Sequence, residues 1–216
     1  MGHNAGPALP TSPTMTKNSF RRTLLLAAAG ALLSACATAP LAPPSQATVA
    51  EYREALELSG RLSVNYDRDG NLETLSGKFN WTQVPGVVDV ALLSPLGQTI
   101  AKIKVTPQAA TLTQGDRPPR EAADIDSLTA QALGWSLPVS GLRDWLQGYA
   151  TAADGKRFAA SPAANSVTTP DGWRLTFVSW QDPTAAHPVP RRIDAERSAT
   201  AASGQLALRI VIDQPG

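Results

Sequence analysis

One cysteine and two histidines are the chain's whole supply of thiols and imidazoles. His3 falls in a stretch that reads as a leader, which leaves His187 as the imidazole of the remainder. It sits in AAHPVP, a proline-rich connection with no Ser or Cys motif beside it to activate. No G-x-S-x-G, H-E-x-x-H, S-x-x-K or phosphate-loop pattern occurs. Asp124 and Asp126 form a close acidic pair, but at the start of a helical pattern, where carboxylates oppose the macrodipole. Arg143, in GLRDWL, reads as a helix-surface ion-pair partner. The residues therefore predict no enzyme, no cofactor and no metal, and the chemistry left to the chain is apolar binding.

Cys36 has a different chemistry. Lys17, Arg21 and Arg22 precede TLLLAAAGALLSAC, a positive region followed by an apolar run ending in small residues. The run from Leu24 to Leu33 would rise about 15 Å as a helix, half of a bilayer's hydrocarbon core. It reads as a signal peptide over residues 1–35, with Met15 an alternative start to Met1. Leu33 to Cys36, LSAC, resembles the bacterial lipobox, whose leaders are cut before the Cys and whose thiol carries a diacylglyceryl group. A lone exported cysteine has no internal disulfide to make. Two or more acyl chains hold a protein on a membrane stably, where one is marginal. Residues 36–47, rich in proline and small side chains, read as the tether. Ala37 stands where the enteric sorting rule places Asp for inner-membrane retention, which points outward.

Residues 48–216 then form one domain, long enough to bury a sizeable core. A formal net charge of +1, with no long basic run, argues against nucleic acid as partner. The stretch from Ala47 to Gly60 reads as a short helix, with Val49, Tyr52, Ala55 and Leu56 on one face and Gly60 ending it. The period then becomes two. Leu62, Val64 and Tyr66 alternate with polar residues; so do Leu75, Gly77, Phe79 and Trp81, then Val88, Val90 and Leu92, then Ala101, Ile103 and Val105. Pro119 to Tyr149 reads as helical, in two helices carrying Leu128 and Leu133, then Leu142, Trp145, Leu146 and Tyr149. Ser140 caps the second and Gly148 ends it. Strands resume with Trp173, Leu175 and Phe177, where alternation puts Trp180 on the opposite face, and close with Leu206 to Ile212.

The expected fold class is mainly β with helices: an antiparallel sheet with one wet face and one apolar face covered by helices. Periodicity is equally compatible with a filled core and with a lidded cavity. Candidate cavity residues are Leu62, Val64, Phe79, Trp81, Val88, Val90, Leu92, Trp173, Leu175 and Phe177 from strands. Leu128, Leu133, Trp135, Leu142, Trp145 and Leu146 would come from the helices. Ser94, Pro95, Leu96 and Gly97 suit a type I turn, with Leu96 an apolar residue at a tip that should face water.

GKFNW, VALLSPLGQTIAKI, LTAQALGWSLPVSGLRDWLQG and DGWRLTF, in this order behind a lipobox, resemble the LolB family of outer-membrane lipoprotein receptors. The resemblance runs from about Ala50 to the end; between Asp182 and Gln205 the chain reads idiosyncratically, and no residue is matched to the family there. It implies an incomplete antiparallel β-barrel under an α-helical lid, around a hydrophobic cavity for lipoprotein acyl chains. It further implies a monomer lipid-anchored in the outer membrane and facing the periplasm. Such a receptor takes cargo from a LolA-type carrier and passes it to the inner leaflet, with Pro95, Leu96 and Gly97 as the membrane-insertion loop. The competing readings are a lipid-binding envelope lipoprotein with another cargo, a non-binding filled barrel, and a hydrolase using His187.

Overall fold

Leu56, Leu58, Gly60, Leu62, Val64 and Tyr66, six alternate positions, are buried or half-buried, and most residues between them are exposed. In the computed structural model of the chain this two-residue period forms β1 (Leu56–Arg68). The structure describes residues 43–68, 70–133, 139–199 and 204–214, together with Gly2 and Gly6. Apart from Gly2 and Gly6, the expected signal peptide lies outside the described residues, as do Cys36, most of the tether, Trp135 and the side chain of Leu133.

Five further strands follow β1: β2 (Asn71–Val84), β3 (Val87–Leu93), β4 (Thr99–Val105), β5 (Ala110–Thr113) and β6 (Arg120–Ala122). Two helices come next, α1 (Ile125–Leu133) and α2 (Val139–Trp145). The chain then returns to strands β7 (Tyr149–Thr151), β8 (Arg157–Ala159), β9 (Ser166–Thr168), β10 (Arg174–Trp180), β11 (Pro190–Arg197) and β12 (Leu206–Ile212). One ten-stranded antiparallel sheet runs β6-β5-β4-β3-β2-β1-β12-β11-β10-β9, and β7 pairs with β8 apart from it. Its end strands β6 and β9 do not pair with each other, so the sheet is unclosed.

Register decides which residues share the inner face. Leu62 lies opposite Ile210 on one side and Gly77 on the other, and Val64 opposite Leu208 and Leu75. Phe79 meets Leu92, and Trp81 meets Val90, which meets Ile103. These cross-strand pairs place the apolar half of each strand on one surface. Each large side chain buried there stabilises the fold by roughly 1.5–3 kcal/mol.

The stretch predicted as a helix before Gly60 is extended instead. Its backbone groups find partners far away in sequence. Val49 N–H donates to the Ala160 carbonyl at 3.0 Å. The Tyr149 hydroxyl donates to the Ala50 carbonyl at 2.6 Å, and Arg53 N–H to Gln147 Oε1 at 2.9 Å. Non-local bonds thus outcompete the i→i−4 ladder. Gly60 does not stop a helix; it admits a close approach. A Cβ there would sit 2.4 Å from the Val211 carbonyl oxygen and 2.8 Å from the Phe79 ring. Arg120–Ala122 likewise pairs as β6 against β5 rather than starting α1. Tyr149 opens β7 rather than joining the face of α2, because Gly148, at φ 84°, turns the chain out of the helix.

In β10 the register slips between Phe177 and Trp180. A bulge of this kind adds a residue to one strand and resets its alternation. Trp180 therefore stacks on Phe177, centroids 6.2 Å apart, instead of lying on the opposite face as strict alternation predicted.

Candidate functional site

An apolar cavity lies between α2 and the middle of the sheet. Its walls are Leu208 and Ile210 of β12, Leu62 and Val64 of β1, Leu75, Phe79 and Trp81 of β2, Val90 and Leu92 of β3, and Ile103 of β4. Val139, Leu142 and Leu146 close it from the helix side. Five consecutive strands sharing one cavity means that the sheet wraps around it. Among the described residues no polar surface lines it. Such a site offers dispersion and desolvation but no hydrogen bond, which suits hydrocarbon.

The two ends of the cavity differ. Beyond Trp81, the next inward residue of β2 is Gln83, 1% exposed. Its amide is satisfied on every side: Oε1 accepts from Trp81 Nε1 at 3.3 Å, and Nε2 donates to Tyr52 Oη at 3.0 Å and the Arg53 carbonyl at 3.3 Å. That network shuts one end. At the other, β1 and β2 run past the end of β3, whose last residue, Leu93, faces Lys78. Leu75 on this overhang is 39% exposed, and Leu72 near its tip is 74% exposed. The β3–β4 turn rises from Leu93 on the same end. Gly97 N–H donates to the Ser94 carbonyl at 2.8 Å, Ser94 N–H to the Gln98 carbonyl at 2.8 Å, and Gly97 has φ 88°. Leu96, held at the turn's tip, is 90% exposed.

The structure brings together nine of the residues singled out from sequence: Leu62, Val64, Phe79, Trp81, Val90, Leu92, Leu142 and Leu146 on the cavity wall, with Leu96 outside its open end. Six others do not line it. Val88 pairs with Gln83, beyond the closed end. Leu128 is buried where α1 packs on β5 and β6. Trp145 lies back over Gly141, where a Cβ would sit 2.7 Å from its ring, and packs on Trp173 at 6.0 Å. Trp173, Leu175 and Phe177 belong to a filled part of the core beyond β11, where Phe158 of β8 stacks on Phe177 at 6.3 Å. Sequence reasoning missed Leu75, Ile103, Val139, Leu208 and Ile210. All but Val139 carry the alternation signal, and only the strand order shows that they meet here.

The polar candidates resolve into structural roles. Asp124 caps α1: Ser127 N–H and Oγ–H each donate to its carboxylate at 2.7 Å, and these bonds, the backbone one foremost, lower its pKa. Asp126 joins the helices. Ser140, inside α2 rather than capping it, donates N–H to Asp126 Oδ1 at 3.3 Å and Oγ–H to Oδ2 at 2.6 Å. Arg143 pairs with Glu54 at 3.6 Å on the surface. The exposed His187 sits with Nδ1 3.4 Å from the Thr48 carbonyl oxygen. Asp126→Ala is expected to free the start of α2, lowering stability by roughly 1–2 kcal/mol and speeding amide exchange in α2. Hydrogen exchange read segment by segment checks this; unchanged protection of α2 would contradict it.

An apolar cavity under a helix, opening beside an exposed leucine, is the arrangement that the quoted motifs implied. The family model described as "Outer membrane lipoprotein LolB" matches residues 54–214. The chain belongs to the LolB family. It is similar to the outer-membrane lipoprotein LolB of Cupriavidus taiwanensis, 40% identical over 90% of this chain and 97% of that one. A LolB of Cupriavidus metallidurans is 42% identical over 90% of this chain and 96% of its own length. That of Thiobacillus denitrificans is 35% identical over 90% and 97%. LolB family members carry the name of outer-membrane lipoproteins, which agrees with the LSAC leader of this sequence.

Proposed function

We propose that this chain receives lipoproteins from a LolA-type periplasmic carrier, holds their acyl chains in the cavity under α2, and releases them into the inner leaflet of the outer membrane. The carrying observation is the cavity with no polar lining, open on the end of the sheet where Leu96 stands 90% exposed. Cys36, lipidated after removal of residues 1–35, holds the domain at that membrane through its tether. Leu96, between Pro95 and Gly97, is the delivery tip. No bond is made or broken in the transfer. The cargo moves because the receptor cavity binds acyl chains more tightly than the carrier does and less tightly than a bilayer does; only such differences in affinity shift an equilibrium.

The test is transfer itself. The purified chain, mixed with a carrier–lipoprotein complex, should empty the carrier, and vesicles added afterwards should take up the lipoprotein. In the native bacterium, depletion should leave lipoproteins stranded on the carrier. Lipoprotein that stays on the carrier in the first experiment, while the chain still takes up free phospholipid, would replace this reading with that of a binder of another lipid.

A further inference from the structure

The convex face of the sheet holds a feature that acyl-chain binding does not use. Directly below the Pro95–Leu96 turn a groove runs between β12, β1 and β2, and Arg61, Lys78, Arg209, Ser63, Ser76 and Pro95 line it. Register brings the cations together: Arg61 lies opposite Lys78, and Arg209 opposite Ser63. All three are exposed, and among the described residues no carboxylate lines the groove. Among the described residues Arg61 and Lys78 have no ion-pair partner. Arg209 reaches Asp194 at 3.3 Å, but Arg192 already grips that carboxylate at 2.9 and 2.6 Å.

We propose that this groove holds the phosphate of an anionic phospholipid headgroup in the membrane that Leu96 enters. The proposal rests on the delivery-tip reading of Leu96 and adds a lipid class to it. Distances support the placement. Lys78 is the partner of Leu93, three residues before Leu96, so it lies within about 10 Å of the tip along the strand. The headgroup layer of one leaflet is roughly 5–8 Å thick. With Leu96 at the edge of the hydrocarbon, the strand positions of Lys78 and its neighbour Arg61 lie just outside that layer, and their long side chains can span the remaining few ångström into it. Three cations and two hydroxyls then face phosphate oxygens, a charge-assisted arrangement. Leu96 supplies insertion and the cations supply orientation, so that the open end of the cavity is presented to the lipid.

The test uses the chain from Ala37 onward, made without the leader and Cys36, so that neither the apolar leader nor lipidation holds it on the vesicle. Binding is measured by co-sedimentation with vesicles of phosphatidylcholine alone, or of an equal mixture with phosphatidylglycerol. The mixed vesicles should bind more tightly, and added salt should remove the difference. Arg61→Gln and Lys78→Gln should each weaken binding to the mixed vesicles about fivefold and leave binding to neutral vesicles unchanged. Lys104→Gln is the comparison. Lys104 faces Asp89, four strand positions, or about 13 Å, further from the tip than Leu93. That exceeds a Debye length of about 8 Å, so its loss should change little. Equal binding of the unsubstituted groove to both vesicles, or a Lys104→Gln loss as large as that of Lys78→Gln, overturns the proposal. Leu96→Glu separates it from the reading beneath. If that variant binds both vesicles normally while the cation effects persist, the tip reading fails and the headgroup groove stands.

Discussion

Leu96→Glu is expected to accept lipoproteins from the carrier at the normal rate and to deliver them to membranes ten to a hundred times more slowly. The fold does not feel the change. Leu96 is 90% exposed, and the hydrogen bonds of its turn are made by Ser94, Gly97 and Gln98. Thermal stability should therefore stay within about 0.5 kcal/mol of the parent. The cavity does not feel it either, because the residue lies beyond its open end and lines none of its wall. What is lost is the transfer of one leucine from water into lipid, about 1.5–3 kcal/mol, and each 1.4 kcal/mol is a factor of about ten. Such an energy is too small to anchor a protein and large enough to decide which end of a tethered domain meets the bilayer. Leu96→Phe should retain delivery, since the requirement is for apolar surface. Pulse-labelled lipoprotein should accumulate on the Leu96→Glu receptor, with little in the membrane fraction. Delivery at the normal rate would return Leu96 to being a turn residue.

Much of the sheet was legible because alternation is a strong local signal. Alternation assigns Leu62 through Tyr66, Leu75 through Trp81, and Val88 through Leu92 each to the face that they occupy. Failures came where long-range partners overrode local pattern. The helical spacing of Val49, Tyr52, Ala55 and Leu56 is real, but Ala160, Tyr149 and Gln147 claim the backbone groups that such a helix would use. β7, β8 and β9 are three residues each, too short for any period to register. Alternation places Trp180 on the wrong face because a bulge has no signature in it.

The candidate site was legible in kind and only partly in membership. Apolar faces show which side chains turn inward, not where helices leave space between them. Trp145 and Phe158 fill the region over Trp173, Leu175 and Phe177, so that part of the inner face is core. Over β12 to β4 the helix presents Val139, Leu142 and Leu146, aliphatic side chains that leave a gap. The difference between core and cavity is thus set by the size of what α2 and β8 lay across each half of the sheet. It depends on how Trp145 folds back over Gly141, a contact made within the helix itself.

Leu142→Asp makes use of that distinction. Leu142 lines the cavity and is only half-buried, so the free chain can hydrate the new carboxylate and should stay folded. An acyl chain entering beside it would strip that water away, with no polar group among the described wall residues to compensate. The loss of leucine contact, about 1.5–3 kcal/mol, adds to a desolvation penalty of roughly 1–3 kcal/mol. Uptake from the carrier should fall about fiftyfold or more. The effect should depend on pH in a definite direction. Apolar surroundings raise a carboxyl's pKa because burial penalises the charged form, so uptake should recover as pH falls through the raised value and the group becomes neutral. The parent, with no titratable group among the described residues of the cavity wall, should show no such rise. Leu142→Met, close in volume, should keep normal uptake. Val178→Asp, at an exposed position away from the cavity, should do so as well and shows whether an added charge alone matters. If Leu142→Asp empties the carrier as fast as the parent does, acyl chains do not pass under α2, and the cavity is not where this receptor holds its cargo.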